Sequence, residues 1–276
     1  MPNEYCFLTA GVVTPIAVYV IYRLFFKKDD EPEILKKNFE KDKVYLYQFP
    51  RIKNCPNMSP FCLKLEIIFR IHNIPYEIVN ITTQKSKGGF VPFVELNGEH
   101  IADSDLIEMR VRKHFKVPEL SEEQEAQSRA IARMADNHFF YVCLHYKTKM
   151  PIFFSTVLNM IPIPNFVKPI AQFYLSQTLG NKLRTRAQYA IGDFNEKELA
   201  EILRKDLNTF ESLLKGKKFL FGDKVTCADA TVFGQLSSVY HPFDSHLRQV
   251  IDEEYPRLKK YMEDVIEQVY PNDFTL

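Results

Sequence analysis

Ser59-Pro60 is the pivot of this chain. Proline fixes its own φ and has no amide to donate, so it suits the first position of a helix, and a Ser in front of it can cap that helix. Beyond it Phe61, Leu65, Ile68 or Phe69, and His72 recur at helical spacing, which predicts a helix over Pro60–His72 with one buried face. Ahead of it stand an apolar strand, Val44-Tyr45-Leu46-Tyr47-Gln48-Phe49, and a loop from Pro50 to Met58. Behind it Tyr76–Asn80 reads as a second strand, and Gly88-Gly89-Phe90-Val91-Pro92 leads into a hairpin. The hairpin strands, Phe93–Leu96 and Glu99–Ala102, flank Asn97-Gly98, a pair that tolerates the positive φ a two-residue turn demands. Asp103-Ser104-Asp105 then starts a helix that runs to Phe115. The order is strand, helix, strand, hairpin, helix, an α/β unit.

The whole chain has 276 residues, enough for two domains. A net charge of +1 gives no electrostatic case for nucleic acid. The cysteines are an odd five (6, 55, 62, 143 and 227) with no Cys-x-x-Cys pair, which argues against a disulfide framework and for a reducing compartment. Residues 1–26 differ in character from the rest. Tyr5 to Tyr22 carries no charge, Glu4 precedes it, and Arg23, Lys27 and Lys28 follow. As a helix, Tyr5–Phe26 would span about 33 Å, enough for a hydrocarbon core. The expectation is one transmembrane helix, with the basic flank holding the remainder of the chain in the cytosol.

Residues 27–43 are rich in Lys and acidic side chains and read as a solvated tether. The α/β unit covers 44–116, and an all-helical domain covers 121–276. Ser121-Glu122-Glu123-Gln124 has the form of a capping box and opens a long helix to about Lys147, with Ala130, Met134, His138 and Tyr141 along one face. His138 and His145 lie on the order of 10 Å apart along that helix, too far to share a metal ion. No metal site is expected. Residues 150–180 form an apolar insertion broken by Pro151, Pro162, Pro164 and Pro169. Three readings stand for it: a lid over a groove, a surface that touches a bilayer or partner, or packing on the helical domain. Asn195–Lys215 is a clean amphipathic helix, Thr226 with Asp229 caps the next, and Tyr255-Pro256 opens the last.

Three motifs carry a resemblance. They are Phe49-Pro50-Arg51 with Ser59-Pro60-Phe61-Cys62-Leu63-Lys64-Leu65-Glu66; Val91-Pro92 with Ile101-Ala102-Asp103-Ser104; and Phe221-Gly222-Asp223-Lys224-Val225-Thr226-Cys227-Ala228-Asp229. In this order the chain from about Val44 to Leu276 resembles the soluble glutathione transferases, most nearly their failed-axon-connections and metaxin branch, including the nematode cadmium-responsive proteins. The resemblance implies a thioredoxin-like N-terminal domain followed by an all-α C-terminal domain. It also implies glutathione as ligand or co-substrate. Val91 and Pro92 match the cis-proline pair that holds the cysteinyl backbone. Asp103 and Ser104 match the acidic-Ser pair that holds the γ-glutamyl end, although either could serve only as a helix cap. Ser59 stands where the family's catalytic Ser or Cys sits, and it too could serve only as a cap. Cys62 is the second cysteine of a redox motif whose first member is Ser59 here, which excludes dithiol exchange through that pair. Cys55 on the loop could still form mixed disulfides or share a soft metal with Cys62, or Cys62 is simply buried and Cys55 idle.

Two functional readings follow. One is a membrane-anchored glutathione transferase-like protein in detoxification or metal stress, on an endomembrane such as the lysosome. Its apolar electrophile would sit in a groove lined by Met134, His138 and Tyr141. The other is a non-catalytic adaptor on a membrane complex, as the metaxins suggest. Family members often dimerise, so a homodimer is compatible with either.

Overall fold

The computed structural model describes Tyr19 and residues 34–81, 86, 90–161 and 163–275. The N-terminal half is a four-stranded sheet of β1 (Val44–Gln48), β2 (Tyr76–Asn80), β3 (Phe93–Leu96) and β4 (Glu99–Ala102), in the order β2-β1-β3-β4. β2 runs parallel to β1, and the β3–β4 hairpin joins the other edge antiparallel. All five residues of β1 are buried, as a central strand covered on both faces requires. Its inward side chains, Val44 and Leu46, meet α1 (Pro60–Ile71) and α2 (Ser104–His114) in the main core.

Tyr45, Tyr47 and Phe93 point to the other face, where Tyr47 stacks on Phe93 with centroids 4.5 Å apart. Residues 34–40 are tied to this face through their backbone, while Leu35 and residues 37–40 stay exposed to solvent. The buried carboxylate of Glu95 accepts from the backbone N–H of Leu35 (2.7 Å) and Lys36 (2.9 Å) and from the Tyr47 hydroxyl (2.8 Å). The Tyr45 hydroxyl accepts from Glu40 N, and Lys36 lies over the Tyr45 ring. A charge-dense sequence reads as solvated because its composition does not reveal that a buried acid elsewhere takes its backbone donors.

The second half is helical: α3 (Glu122–Met134), a π turn (Ala135–Phe139), α4 (Phe140–Lys147), α5 (Pro151–Asn159), α6 (Lys168–Ile191), α7 (Glu196–Leu213), α8 (Cys227–Tyr240), α9 (His246–Glu254) and α10 (Pro256–Val269). The π turn interrupts what the sequence presents as one continuous helix from Ser121 to Lys147. The insertion forms a helical hairpin: Phe153, Phe154, Leu158 and Leu175 from α5 and α6 bury themselves against Met58 and Phe243. Among the described residues no helix is long and apolar enough to cross a membrane. The span expected over residues 1–26 lies outside the described residues, save Tyr19.

The two halves are joined through α8, which is buried from Ala228 to Tyr240. Its capping box is intact: Asp229 accepts from Thr226 N and Oγ1 and from Leu220 N, and Thr226 Oγ1 accepts from Asp229 N. At Gly234 an added Cβ would lie 2.7 Å from the Pro60 carbonyl oxygen, so only glycine lets α8 reach the first turn of α1. Behind α1 the buried carboxylate of Glu66 receives Arg70 at 2.9 Å and Arg51 at 3.5 Å, and Arg70 also grips Asp273 at 2.6 Å. The C-terminal residues are thereby tied to the first helix.

Candidate functional site

Register locates the site. Tyr47 pairs with Phe93, and Phe93 pairs with Ala102. The end of β1, the start of β3 and the end of β4 therefore share one edge of the sheet, and Val91–Pro92 and Asp103 flank it. The Val91–Pro92 peptide is cis. The loop after β1 brings Ser59 back to the same end through Asn57, a buried side chain that the sequence did not single out. Asn57 Nδ2 donates to the Phe49 carbonyl (2.8 Å), and Ser59 N donates to Asn57 Oδ1 (2.9 Å). Two points thus hold the loop: its first residue and its last.

Two helix N-termini open at this end. At α1 the Ser59 hydroxyl accepts from Cys62 N at a long 3.5 Å, and the first turn holds no acidic residue. The partial positive charge of that helix end is left without a carboxylate in its own turn. At α2 Asp103 caps with one oxygen: Oδ1 accepts from Asp105 N (3.0 Å) and Leu106 N (3.3 Å). Asp103 is exposed and sits at φ 77° and ψ 126°, a combination few non-glycine residues adopt, while Ser104 beside it is buried.

A charge cluster underlies the α2 start. Lys64 of α1 reaches Asp105 at 2.8 Å, Glu108 at 2.9 Å and Asp136 at 3.5 Å. Arg133 joins Asp105 and Asp136, and Gln235 donates to Asp136 at 2.8 Å. Burial lifts the Asp105 carboxyl, but Lys64 and Arg133 outweigh it and hold its pKa below the ordinary value. Burial lifts Asp136 too, and there it prevails over Lys64, Gln235 and Arg133. Burial alone would lower Lys64, yet Glu108, Asp136 and Asp105 raise it. The cluster fixes the angle between α1, α2 and the π turn, and so the depth at which Ser104 lies.

The residues expected to line a groove beside Ser59 have partners on different elements. Phe61, the second residue of α1, packs edge-on against Phe140 with centroids 4.9 Å apart. Tyr141 accepts at its hydroxyl from Arg186 Nε (3.2 Å), and Arg186 lies 5.0 Å from the ring of Phe90, next to Val91. Tyr141 is therefore linked to the cis-proline loop. His138 instead turns to α7, where Nδ1 meets Asp206 Oδ2 at 2.8 Å, and Met134 packs on the main core. The π turn is the physical reason. It carries an extra residue per turn, so the face that Ala130 and Met134 define does not continue to His138, and Phe140 comes round to Phe61. An i, i+4 count could not find this, since it assumes an unbroken α-helix.

Cys55 and Cys62, the two candidate thiols, are both buried. Cys55 Sγ donates to the Asn57 carbonyl at 3.1 Å and lies 3.7 Å from Ser237 Oγ. Burial pushes Cys55 up to about 11 and Cys62 up to about 12, the latter despite hydrogen bonds from Ser59 and the Phe49 backbone. At neutral pH both are protonated thiols, poor nucleophiles and poor metal ligands. Among the described residues no group of three or more His, Cys, Asp or Glu could hold a metal ion.

Comparison with known proteins agrees with this architecture. Residues 60–151 match the glutathione S-transferase N-terminal domain family and residues 203–265 the glutathione S-transferase C-terminal domain family. Failed axon connections of Drosophila melanogaster is 31% identical over 255 residues, covering 86% of this chain. The chain is a glutathione transferase-like homologue of Failed axon connections. It spans 60% of that relative's length. Isoprene-epoxide–glutathione S-transferase of Rhodococcus sp. (strain AD45) is 24% identical, covering 82% of this chain and 98% of the relative. Among solved structures, the β-etherase LigF from Sphingobium sp. strain SYK-6 superposes with a TM-score of 0.57 at 15% identity, covering 83% of this chain and 98% of the other. That likeness carries the fold alone.

Proposed function

We propose that this chain is a membrane-anchored, glutathione transferase-like protein that binds glutathione at the sheet end bounded by Ser59, Val91–Pro92 and Asp103–Ser104. The carrying observation is the convergence of two helix N-termini there, one with no acidic residue in its first turn and one capped by a single oxygen of an exposed Asp. Such an end suits an anionic tripeptide, because its backbone donors and partial charge favour a thiolate and a carboxylate. Glutathione supplies the nucleophilic sulfur. The Ser59 hydroxyl can accept from Cys62 N and still donate to that sulfur, which favours the thiolate at neutral pH. Asp103 and Ser104 orient the γ-glutamyl end. An apolar electrophile would rest on Phe61 and Phe140, with Tyr141 and Arg186 at the rim. The isoprene epoxide named for the Rhodococcus relative is an electrophile of this kind.

Residues 5–22 would hold the protein in an endomembrane with the folded part on the cytosolic side, serving stress handling that includes cadmium or other xenobiotic load. Calorimetric titration of the full chain in detergent with glutathione tests the site. Binding at millimolar or tighter affinity, lost in Asp103→Ala, is expected. Ser59→Ala should keep that binding and lose conjugation to 1-chloro-2,4-dinitrobenzene. No heat at any concentration would leave the adaptor reading in its place.

A further inference from the structure

The α5–α6 hairpin buries one face and leaves the other bare. Its outward side carries Ile152, Phe166 and Phe173, which are 53%, 72% and 62% exposed. Gln172 Nε2 donates to the Pro151 carbonyl at 3.2 Å and Lys168 Nζ to Asn159 Oδ1 at 3.0 Å, so the two helices are bonded next to Ile152 and Phe173 and next to Phe166. Phe166 stands in the 3-10 turn Asn165–Val167 that leads into α6, and Phe173 lies in α6 itself.

Charge singles out this region more sharply than hydrophobicity does. From Pro151 to Gly192 the hairpin carries four Lys or Arg and no Asp or Glu, within a protein whose net charge is only +1. Exposed aromatics on a hairpin whose own charges are all cationic have the composition of an interfacial helix on anionic lipid. A protein partner would not require every acid to be excluded over such a length.

The path of the described residues bears on where this face lies. Phe39 lies against Gly98 at the hairpin turn, and Leu35 and Lys36 are held by Glu95. Traced backwards, the segment thus moves away from the Asn97-Gly98 turn and toward the sheet end that carries Ser59. The α5–α6 hairpin packs on Met58 and Ile52, in the loop at that end. The bare face thus lies toward the sheet end that carries Ser59.

We propose that the face formed by Ile152, Phe166 and Phe173 is a second membrane contact, resting on the anionic phospholipid leaflet to which the N-terminal segment tethers the chain. It rests on the anchor reading for its orientation, while its chemistry is its own. Two attachments would hold the groove beside Ser59 close to the bilayer, where apolar electrophiles concentrate.

The natural chain has no Trp, so single Trp variants are clean reporters. Phe166→Trp and Phe173→Trp, with Met109→Trp on exposed α2 as reference, would be reconstituted as full chains in phosphatidylcholine–phosphatidylserine vesicles bearing chain-brominated lipid. The expected result is a blue-shifted emission for the first two and quenching roughly twofold or more greater than for Met109→Trp. Quenching equal to that of Met109→Trp overturns the proposal, and it is also the outcome if a protein or a second copy covers this face. Carbonate extraction reads the anchor separately. A chain that resists extraction with Phe166→Trp unquenched keeps the span and sinks the second contact. A chain stripped by carbonate yet quenched beforehand keeps the contact and sinks the span.

Discussion

Two lysines lie buried in this protein under opposite conditions. Lys64, 1% exposed, stands in α1 with Asp105, Glu108 and Asp136 within ion-pair distance. Lys147, 5% exposed, ends α4 with the Ser238 hydroxyl at 3.0 Å as its hydrogen-bond partner, near the buried thiols of Cys143 and Cys55. Carboxylates raise the first; burial pulls the second down to about 8. The difference lies in what each region does. Lys64 sits under the α2 start, where three elements must keep a fixed angle, and a matched charge cluster is directional in a way apolar packing is not. Lys147 sits behind the Cys55 loop, where α8 already supplies the packing.

The largest expected effect comes from breaking the matched cluster. Lys64→Met leaves the buried Asp136 without one of its two cations and should cost about 3–5 kcal/mol in a urea melt. Lys147→Met should act in the opposite direction. The folded-state pKa of Lys147, about 8, lies below its ordinary 10.5, so the unfolded chain holds that proton more tightly. The penalty is full below pH 8, fades as pH rises to 10.5 and is absent above it. Lys147→Met should therefore stabilise by about 2 kcal/mol at pH 7, with the gain shrinking in alkaline melts. Ser238 keeps a partner in the variant, since its hydroxyl also donates to the Gln235 carbonyl.

His241 gives a third, milder instance of an unmatched base. Burial, with Arg248 nearby, lowers it from 6.5 to about 4, and its Nε2 has no hydrogen-bond partner among the described residues. Stability should be complete above pH 6.5 and fall by about 2 kcal/mol as pH drops toward 4, a slope that His241→Phe should flatten. The smallest change in stability is expected at the rim of the matched cluster. Asp103→Gly relieves a positive φ and loses a cap, two effects that cancel to within about 1 kcal/mol. Glutathione titration should nevertheless lose its signal, which separates the Asp103 carboxylate's role in binding from its role in folding.

Much of this architecture is readable from the chain. Val44–Gln48, the helix from Pro60, the Asn97-Gly98 hairpin and the Thr226–Asp229 cap obey local rules, and those rules hold because each feature is made by residues close in sequence. The cis bond before Pro92 follows from motif resemblance, whereas the cap at Ser59 follows from its place in front of Pro60. Three features required three dimensions. Residues 34–40 lie on the sheet because Glu95, far along the chain, accepts their backbone donors. Phe140 meets Phe61, while His138 turns to Asp206, because a π turn shifts the helical phase. Asn57 sets the Ser59 loop through one side chain whose two bonds leave no trace in composition.

The close approach at Gly234 has a bearing on evolution within this fold. The Pro60 carbonyl rests against the bare backbone of α8, with no side chain between them to be reshaped. Substitutions in the helical lobe can alter the surroundings of Ser59, but not by inserting bulk at this seam. Diversification is thereby steered toward α4 and α6, whose Phe140, Tyr141 and Arg186 can change size and charge while the N-terminus of α1 keeps its place.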